Sequence, residues 1–304
     1  MNKLKFHLIN YKEITTNLNI IVGNLEEYLN GGRQDILENF DIFSENVRSK
    51  NSIYKNFDIF EKSEEITDKC VIVLGLYVEL LEFWGQRNRI YDMVKFYCEK
   101  YPNNKIIIQW NHDVDTHTIF NFIDEFKNLY ILNFNTSINH ERFIILPFWT
   151  IDDELFIEEK KYLSNLVCST NNKLRDNLKK TFSNKSDFYV SEKIKFQEYK
   201  RILSESKFTL CPKGNGLSSY RFFECFHLNT IPVLFGDSVI LPYEDRINYN
   251  NFIIRIEESY SDNFDYIIKK LNSVNYKNML MELNNVRELF TLKGVQEEVY
   301  KRLI

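Results

Sequence analysis

The residues best suited to chemistry lie between Ser206 and Glu224, S-K-F-T-L-C-P-K-G-N-G-L-S-S-Y-R-F-F-E. A short apolar run, Phe208–Cys211, passes through Pro212 into a loop with two glycines, Gly214 and Gly216, and two serines, Ser218 and Ser219. A helix is expected to start there, with Arg221 and Glu224 three apart and so on one face. Glycine lets a backbone approach a ligand closely. Serine hydroxyls and the unpaired N–H groups of a helix start suit phosphate oxygens, and Lys213 adds positive charge. A glutamate one turn further on can accept two hydrogen bonds from a vicinal diol, such as the 2′ and 3′ hydroxyls of a ribose. A nucleoside diphosphate fits this pattern. An ordinary strand–turn–helix with a serine cap and a solvated Arg–Glu pair fits the spacing equally well. The chain has neither G-x-x-x-x-G-K-[ST] nor G-x-G-x-x-G in this segment, which excludes the Walker loop and the dinucleotide fingerprint.

The elements that must position these residues alternate along the chain. Val71–Leu76 is a continuous apolar run, as a strand covered on both faces would be. Arg87–Lys100 has helical spacing, with Ile90, Met93, Val94 and Tyr97 on one face. Lys105–Trp110 reads as a second buried strand, Thr118–Lys127 as a helix, and Leu129–Phe134 and Arg142–Leu146 as further strands. This β-α-β rhythm implies a mostly parallel sheet with helices on both faces. A polar stretch, Asp152–Lys161, marks a boundary, and the rhythm then resumes. Asn165–Cys168, Lys207–Cys211, Thr230–Phe235 and Phe252–Ile256 read as strands. Asn172–Phe182 and Ser219–Leu228 read as helices, and the chain is helical from about Asp262. We therefore expect two Rossmann-like α/β domains, 1–155 and 156–304, the second with the terminal helices. Ligands of such sheets bind outside the carboxyl ends of the strands, here the cleft between the halves.

The chain has 304 residues, with 39 Lys+Arg against 43 Asp+Glu and a formal net charge of −4. A mildly acidic balance argues against a general nucleic-acid partner. Hydrophobic residues make up 44%, which argues against disorder as the main state. Alanine is absent while Asn, Ile, Lys, Phe and Tyr abound. This is the imprint of an AT-rich genome, microbial or viral, and says little about function. The five cysteines form no C-x-x-C pair, so neither zinc nor a redox couple is signalled, and their odd number favours a reducing compartment. The longest uncharged apolar runs are about half the length of a membrane span. A soluble, cytoplasmic protein is expected.

Ser206-x-Phe208-x-Leu210-x-Pro212-x-Gly214, then Ser219-x-Arg221-x-x-Glu224, Ile231-Pro232-Val233, Leu241-Pro242 and Ile247-Asn248-Tyr249-x-x-Phe252 follow one another in order. Together they resemble the exostosin-type glycosyltransferases. Upstream, Ser169–Leu178 is similar to that family's strand–loop followed by R-x-x-L, with Arg175 at the arginine. The chain departs from the family where Leu228-Asn229-Thr230 replaces a small residue and glycine. Asn tolerates a left-handed backbone, so Asn229 is expected to serve in the glycine's place.

The resemblance implies two domains of the B-type glycosyltransferase architecture and an inverting transfer from a nucleotide sugar, a UDP-sugar first, to a glycan acceptor. No cofactor is implied, and no metal is expected to be required. Arg175, Lys213, Ser218 and Ser219 are then the residues for the diphosphate, with Gly214 and Gly216 shaping the loop. Arg221 and Glu224 are the residues for the nucleoside or its ribose. A GDP-sugar transferase of fucosyltransferase type has the same architecture and remains an alternative, as does a non-catalytic nucleotide- or sugar-binding module.

Such a transfer needs a base for the acceptor hydroxyl. Asn111-His112-Asp113-Val114-Asp115-Thr116-His117 follows a strand and offers Asp113 first and His112 second. Glu79 and Glu82 are lesser candidates. Asp115 also stands where a helix N-cap is expected. Asp113 and Asp115 spell the D-x-D of metal-dependent transferases, whose carboxylates suit Mg²⁺ or Mn²⁺. The long motif downstream points instead to a donor site without it. Zinc at His112 and His117 would lack a third ligand. His227, within an apolar stretch, reads as a packed residue.

Overall fold

The computed structural model describes residues 4–10, 13, 14, 17, 18, 60–75, 78, 81, 85–110, 113–148 and 154–304. In the first half, β1 (Leu4–Asn10), β2 (Phe60–Lys62), β3 (Val71–Gly75), β4 (Ile106–Trp110), β5 (Leu129–Asn133) and β6 (Phe143–Ile145) form one sheet in the order β2-β1-β3-β4-β5-β6. All its neighbours are parallel. Successive side chains of a strand point to opposite faces. Ile72, Leu74, Ile106 and Ile108 accordingly enter one core cluster, and Val71, Val73 and Ile107 another. The helix α1 (Arg89–Lys100) covers the first face with Ile90, Met93, Val94 and Tyr97.

The helix expected over Thr118–Lys127 is broken. α2 (Thr116–Ile119) stops at Phe120, whose ψ of 37° leaves the helical region, and a 3-10 turn spans Ile123–Glu125. The cause is aromatic packing. Phe120 meets Trp110 edge-on at 5.8 Å, while Phe122 and Phe126 pack on Tyr91 at 5.1 and 5.7 Å. Positions 120 and 122 cannot share one face of a regular helix.

The second half holds β7 (Tyr162–Val167), β8 (Phe188–Ser191), β9 (Ser206–Pro212), β10 (Ile231–Phe235) and β11 (Ile254–Ile256), all parallel in the order β11-β10-β9-β7-β8. Around this sheet run α3 (Lys173–Phe182), α4 (Phe196–Ser204), α5 (Tyr220–Glu224), α6 (Phe264–Asn272) and α7 (Tyr276–Val286). The two-sheet parallel α/β architecture is the one expected. β1, β2, β8 and α4 were not expected, and α5 ends four residues earlier than Leu228. The chain turns into β10 through Asn229 at φ 51°, the left-handed conformation expected of it.

The last helix, α8 (Leu292–Leu303), corrects the assignment of every terminal helix to the second half. Its Val295, Val299 and Leu303, four apart, pack with Phe6, Val71, Val73 and Leu132 of the first sheet. The Lys105 Nζ donates to the Leu303 carbonyl at 2.8 Å. The helix does so because the second face of that sheet is apolar and this is the face α1 does not cover. The chain thus crosses between the halves twice, and both crossings meet His227. Its carbonyl accepts the Phe156 N–H at 2.9 Å, and its ring Nε2 lies 3.3 Å from the Phe290 carbonyl. His227 is packed, as expected, at 4% exposure. Among the described residues, no helix is long and apolar enough to cross a membrane.

Candidate active site

Parallel strands bring all their carboxyl ends to one edge. In the second sheet the order reverses between β7 and β9, the place where doubly wound sheets bind ligands. A cavity of about 610 Å³ lies there. Asp113, Asn135 and Phe148, which follow β4, β5 and β6, form its wall from the first half. Cys168 and Ser169 follow β7, Glu192–Ile194 follow β8, and Gly214, Ser218, Ser219, Arg221 and Glu224 follow β9.

The loop after β9 is tied down by residues of the preceding strand–helix unit. Asn172 caps α3 by accepting the Arg175 N–H at 3.0 Å, and its Nδ2 donates to the Gly214 carbonyl at 3.1 Å. The Arg175 Nε donates to the Lys213 carbonyl at 3.0 Å, and its Nη1 to Asn171 Oδ1 at 3.1 Å. A Cβ at Gly214 would stand 3.2 Å from Arg175 Nη2. The guanidinium therefore lies close against the glycine, and Arg175 lines the cavity. Burial pulls its pKa below the ordinary arginine value, and the like charge of Arg221 acts in the same sense.

Arg221 is the more unusual cation. Its Nη2 donates to the Val167 carbonyl, while Nε and Nη1 are buried with no hydrogen-bond partner among the described residues. Burial opposes its charge, but Tyr199, Cys211, Cys168 and Glu224 around it outweigh that and push its pKa up. A buried guanidinium with two idle nitrogens is costly unless an anion reaches it.

Glu224 is 8% exposed and accepts a hydrogen bond on Oε2 from the Tyr199 hydroxyl. Burial, and after it the Glu224 charge, holds the Tyr199 phenol well above its ordinary value, so it acts as a donor. Ser219 begins α5 with no side-chain cap bond, and the Ser218 Oγ is buried without a partner. The Ser218 N–H donates to Asn135 Oδ1 at 3.2 Å.

Two predicted residues do other work. Gly216 is not a wall of the cavity: a Cβ there would meet Asn135 Nδ2 at 3.0 Å and the Asp113 carbonyl at 3.1 Å, so this glycine lets the loop touch the first half. The Lys213 Nζ pairs with Glu258 at 2.7 Å, and its side chain is not among the cavity walls. Asp113 is exposed at the rim. His112, Glu79 and Glu82 lie outside the described residues. Asp115 is the N-cap of α2: its Oδ1 accepts the His117 and Ser137 N–H groups, and its Oδ2 the Ser137 hydroxyl. Both oxygens of the second D-x-D aspartate are therefore engaged.

Sequence reasoning missed Tyr199, Asn135, Phe148 and Tyr220. Phe148 stacks on Phe134 at 4.7 Å and meets the half-exposed Tyr220 at 4.2 Å, forming an aromatic wall between the halves. Tyr199 comes from a helix the sequence did not announce. A strand end was the only signal for Asn135.

Two parallel sheets flanked by helices, with a cation-lined cavity between their carboxyl edges, define a two-sheet α/β architecture. Residues 156–271 match the Exostosin GT47 domain, the family that the motifs of this segment resemble. A probable arabinosyltransferase, ARAD1, of Arabidopsis thaliana is 24% identical over 164 residues, 49% of this chain and 37% of its own length. The Exostosin-1 homolog of Caenorhabditis elegans is 29% identical over 99 residues, 33% of this chain and 26% of its own. The chain thus spans between about a quarter and little more than a third of the length of these relatives. Among solved structures, the pneumococcal O-GlcNAc transferase GtfA in complex with UDP and GlcNAc aligns at a TM-score of 0.41 and 11% identity, covering 78% of this chain and 57% of that one. MurG of Acinetobacter baumannii aligns at 0.39 and 9%, over 99% and 100%.

Proposed function

We propose that this glycosyltransferase moves a sugar from a UDP-sugar to a hydroxyl of a glycan acceptor, inverting the anomeric centre and needing no metal. The observation that carries the reading is the buried Arg221, two of whose nitrogens have no protein partner beside a glutamate suited to a ribose. Arg221, Arg175, the Ser218 hydroxyl and the N–H groups at the start of α5 surround the place of the diphosphate. Positive charge already in position stabilises a leaving diphosphate without reorganisation. Glu224 takes the ribose hydroxyls. Asp113, across the cavity on the first half, takes the acceptor proton as the acceptor oxygen attacks the anomeric carbon opposite the leaving diphosphate. The Phe148–Tyr220 wall shields the reacting sugar from water.

Thermal melting with UDP or GDP, in EDTA or Mn²⁺, tests this reading, because a ligand of the native state raises the melting temperature by mass action. Stabilisation by UDP in EDTA, lost in Glu224→Ala, is the expected result. A preference for GDP would redirect the donor class to GDP-sugars. Stabilisation only with Mn²⁺ and indifferent to Glu224→Ala would overturn the donor site.

A further inference from the structure

We propose that a second cavity, at the edge of the second sheet opposite the candidate active site, binds a small phosphate ester whose phosphate is attached to an apolar body. The cavity measures about 630 Å³ and lies where β7, β8 and β9 begin. It reaches β7 at Tyr162, whereas the donor cavity reaches the same strand at Val167. Residue steps of about 3.3 Å set the two roughly 16 Å apart along the strand. No residue lines both, so this inference stands apart from the donor site.

Four lysines line this cavity, Lys160, Lys161, Lys185 and Lys207, against one carboxylate, Asp187. They meet because each stands where a strand starts. Lys160 and Lys161 precede β7, Lys185 lies in the turn before β8, and Lys207 is the second residue of β9. Parallel strands gather their amino ends at one edge as they gather their carboxyl ends at the other. In a chain of net charge −4 this is a local excess of positive charge.

The four differ in how their charge is met. Lys161 pairs with Glu205, the one ion pair that any of the four makes among the described residues. Lys160 is half-buried, and its Nζ donates to the Ser204 and Asn229 carbonyls at 2.6 and 2.5 Å, which leaves it one further N–H. Burial pulls its pKa down to about 8, so it remains charged at neutral pH. Lys185 and Lys207 are exposed and face rings. The Lys185 Nζ lies 4.1 Å from the centre of the Phe264 ring, and the Lys207 Nζ 5.9 Å from that of Tyr276. A ring attracts an ammonium without neutralising it. Three ammonium groups thus keep their charge beside the apolar Phe188, Phe264 and Ile268. A phosphate dianion matches the charges, because its oxygens accept short, charge-assisted bonds from lysine N–H groups. The rings and Ile268 match an apolar group carried by that phosphate, from which a bare anion would gain nothing.

Titration calorimetry with naphthyl phosphate, inorganic phosphate and naphthol tests this, in about 0.15 M salt so that diffuse attraction between surface charges is screened. Wild type should bind naphthyl phosphate at least about tenfold more tightly than either fragment. Lys185→Gln combined with Lys207→Gln should weaken that binding at least about tenfold, the scale of one charge-assisted hydrogen bond. Lys185→Arg combined with Lys207→Arg keeps both charges and should keep the affinity within about threefold. Both lysines are exposed, so all these variants should fold, with the circular dichroism of wild type. Binding that survives the glutamine substitutions overturns the inference. So does an equal loss in the arginine variant, which would trace the effect to shape rather than charge. Loss in Arg221→Lys but not with glutamine at 185 and 207 would place the ester in the donor cavity and overturn it too. Inorganic phosphate bound as tightly as the ester, or an ester that wild type does not bind, overturns it as well.

Discussion

Asn135 accepts the Ser218 N–H through its side-chain oxygen at 3.2 Å, joining the segment after β5 of one sheet to the loop after β9 of the other. Ser218 is 7% exposed and Asn135 3%, so the bond is made away from water. Removing the Asn135 acceptor while the halves stay together would leave a buried donor without a partner, which costs about 1–3 kcal/mol. The loop between Gly214 and Ser219 is thus held from the first half.

Gly216→Ala should disturb that junction. The added Cβ would meet Asn135 and the Asp113 carbonyl at 3.0–3.1 Å, and one of the two neighbours is backbone. Overpacking of this kind costs roughly 1–3 kcal/mol. We expect a lower melting temperature and a smaller stabilisation by UDP. An unchanged melt would show that the two halves part freely here.

Arg221→Lys keeps the charge and loses the planar fork. A lysine ammonium gathers its donors on one nitrogen and lacks the fork that spans from the Val167 carbonyl to an anion in the cavity. UDP affinity should fall at least about tenfold in titration calorimetry, the scale of one charge-assisted hydrogen bond. Far-ultraviolet circular dichroism should remain that of wild type.

Asp113→Asn separates chemistry from binding. Asp113 is exposed and makes no part of the core, so the variant should fold and bind UDP as wild type does. Turnover, followed as UDP released from a UDP-sugar, should fall about 10²–10⁴-fold, the usual worth of a general base. Retained turnover would remove Asp113 from that role.

Alkaline pH should destabilise the protein through buried thiols and phenols. Burial pushes both Cys98 and Tyr97 up to about 12. In the unfolded chain these groups ionise near pH ~8.5 and ~10 respectively. Their folded values are raised, so their stabilising contribution is complete below the unfolded pKa and disappears as pH rises toward the folded one. Urea midpoints should fall above about pH 8.5, and Cys98→Val should make that fall shallower.

The two parallel sheets were legible because buried strands are continuous apolar runs bounded by polar turns. Val71–Gly75, Ile106–Trp110 and Ile231–Phe235 show it plainly. The loop–helix unit was legible because glycine, serine, arginine and glutamate recur there at fixed offsets. Tyr199 was not, because its helix lies in a polar stretch and its hydroxyl meets Glu224 only through the tertiary fold. The uses of Gly216 and Lys213 were hidden for a related reason: spacing tells which residues share a loop, not whether each faces ligand, the other half, or Glu258. Asp115 was legible as a cap, since the N-cap position is a local property.

The return of α8 to the first sheet has a mechanical consequence. A chain that passed once between its halves would leave them tethered at a single point, free to swing and twist. Here there are two connections, and His227 bonds beside both, at Phe156 and at Phe290. Two backbone connections gathered at one residue restrict the relative movement of the halves more than a single connection would. Any movement that parts the halves at the cavity has to take Asp113 and Asn135 away from the loop at Gly216, against which both lie.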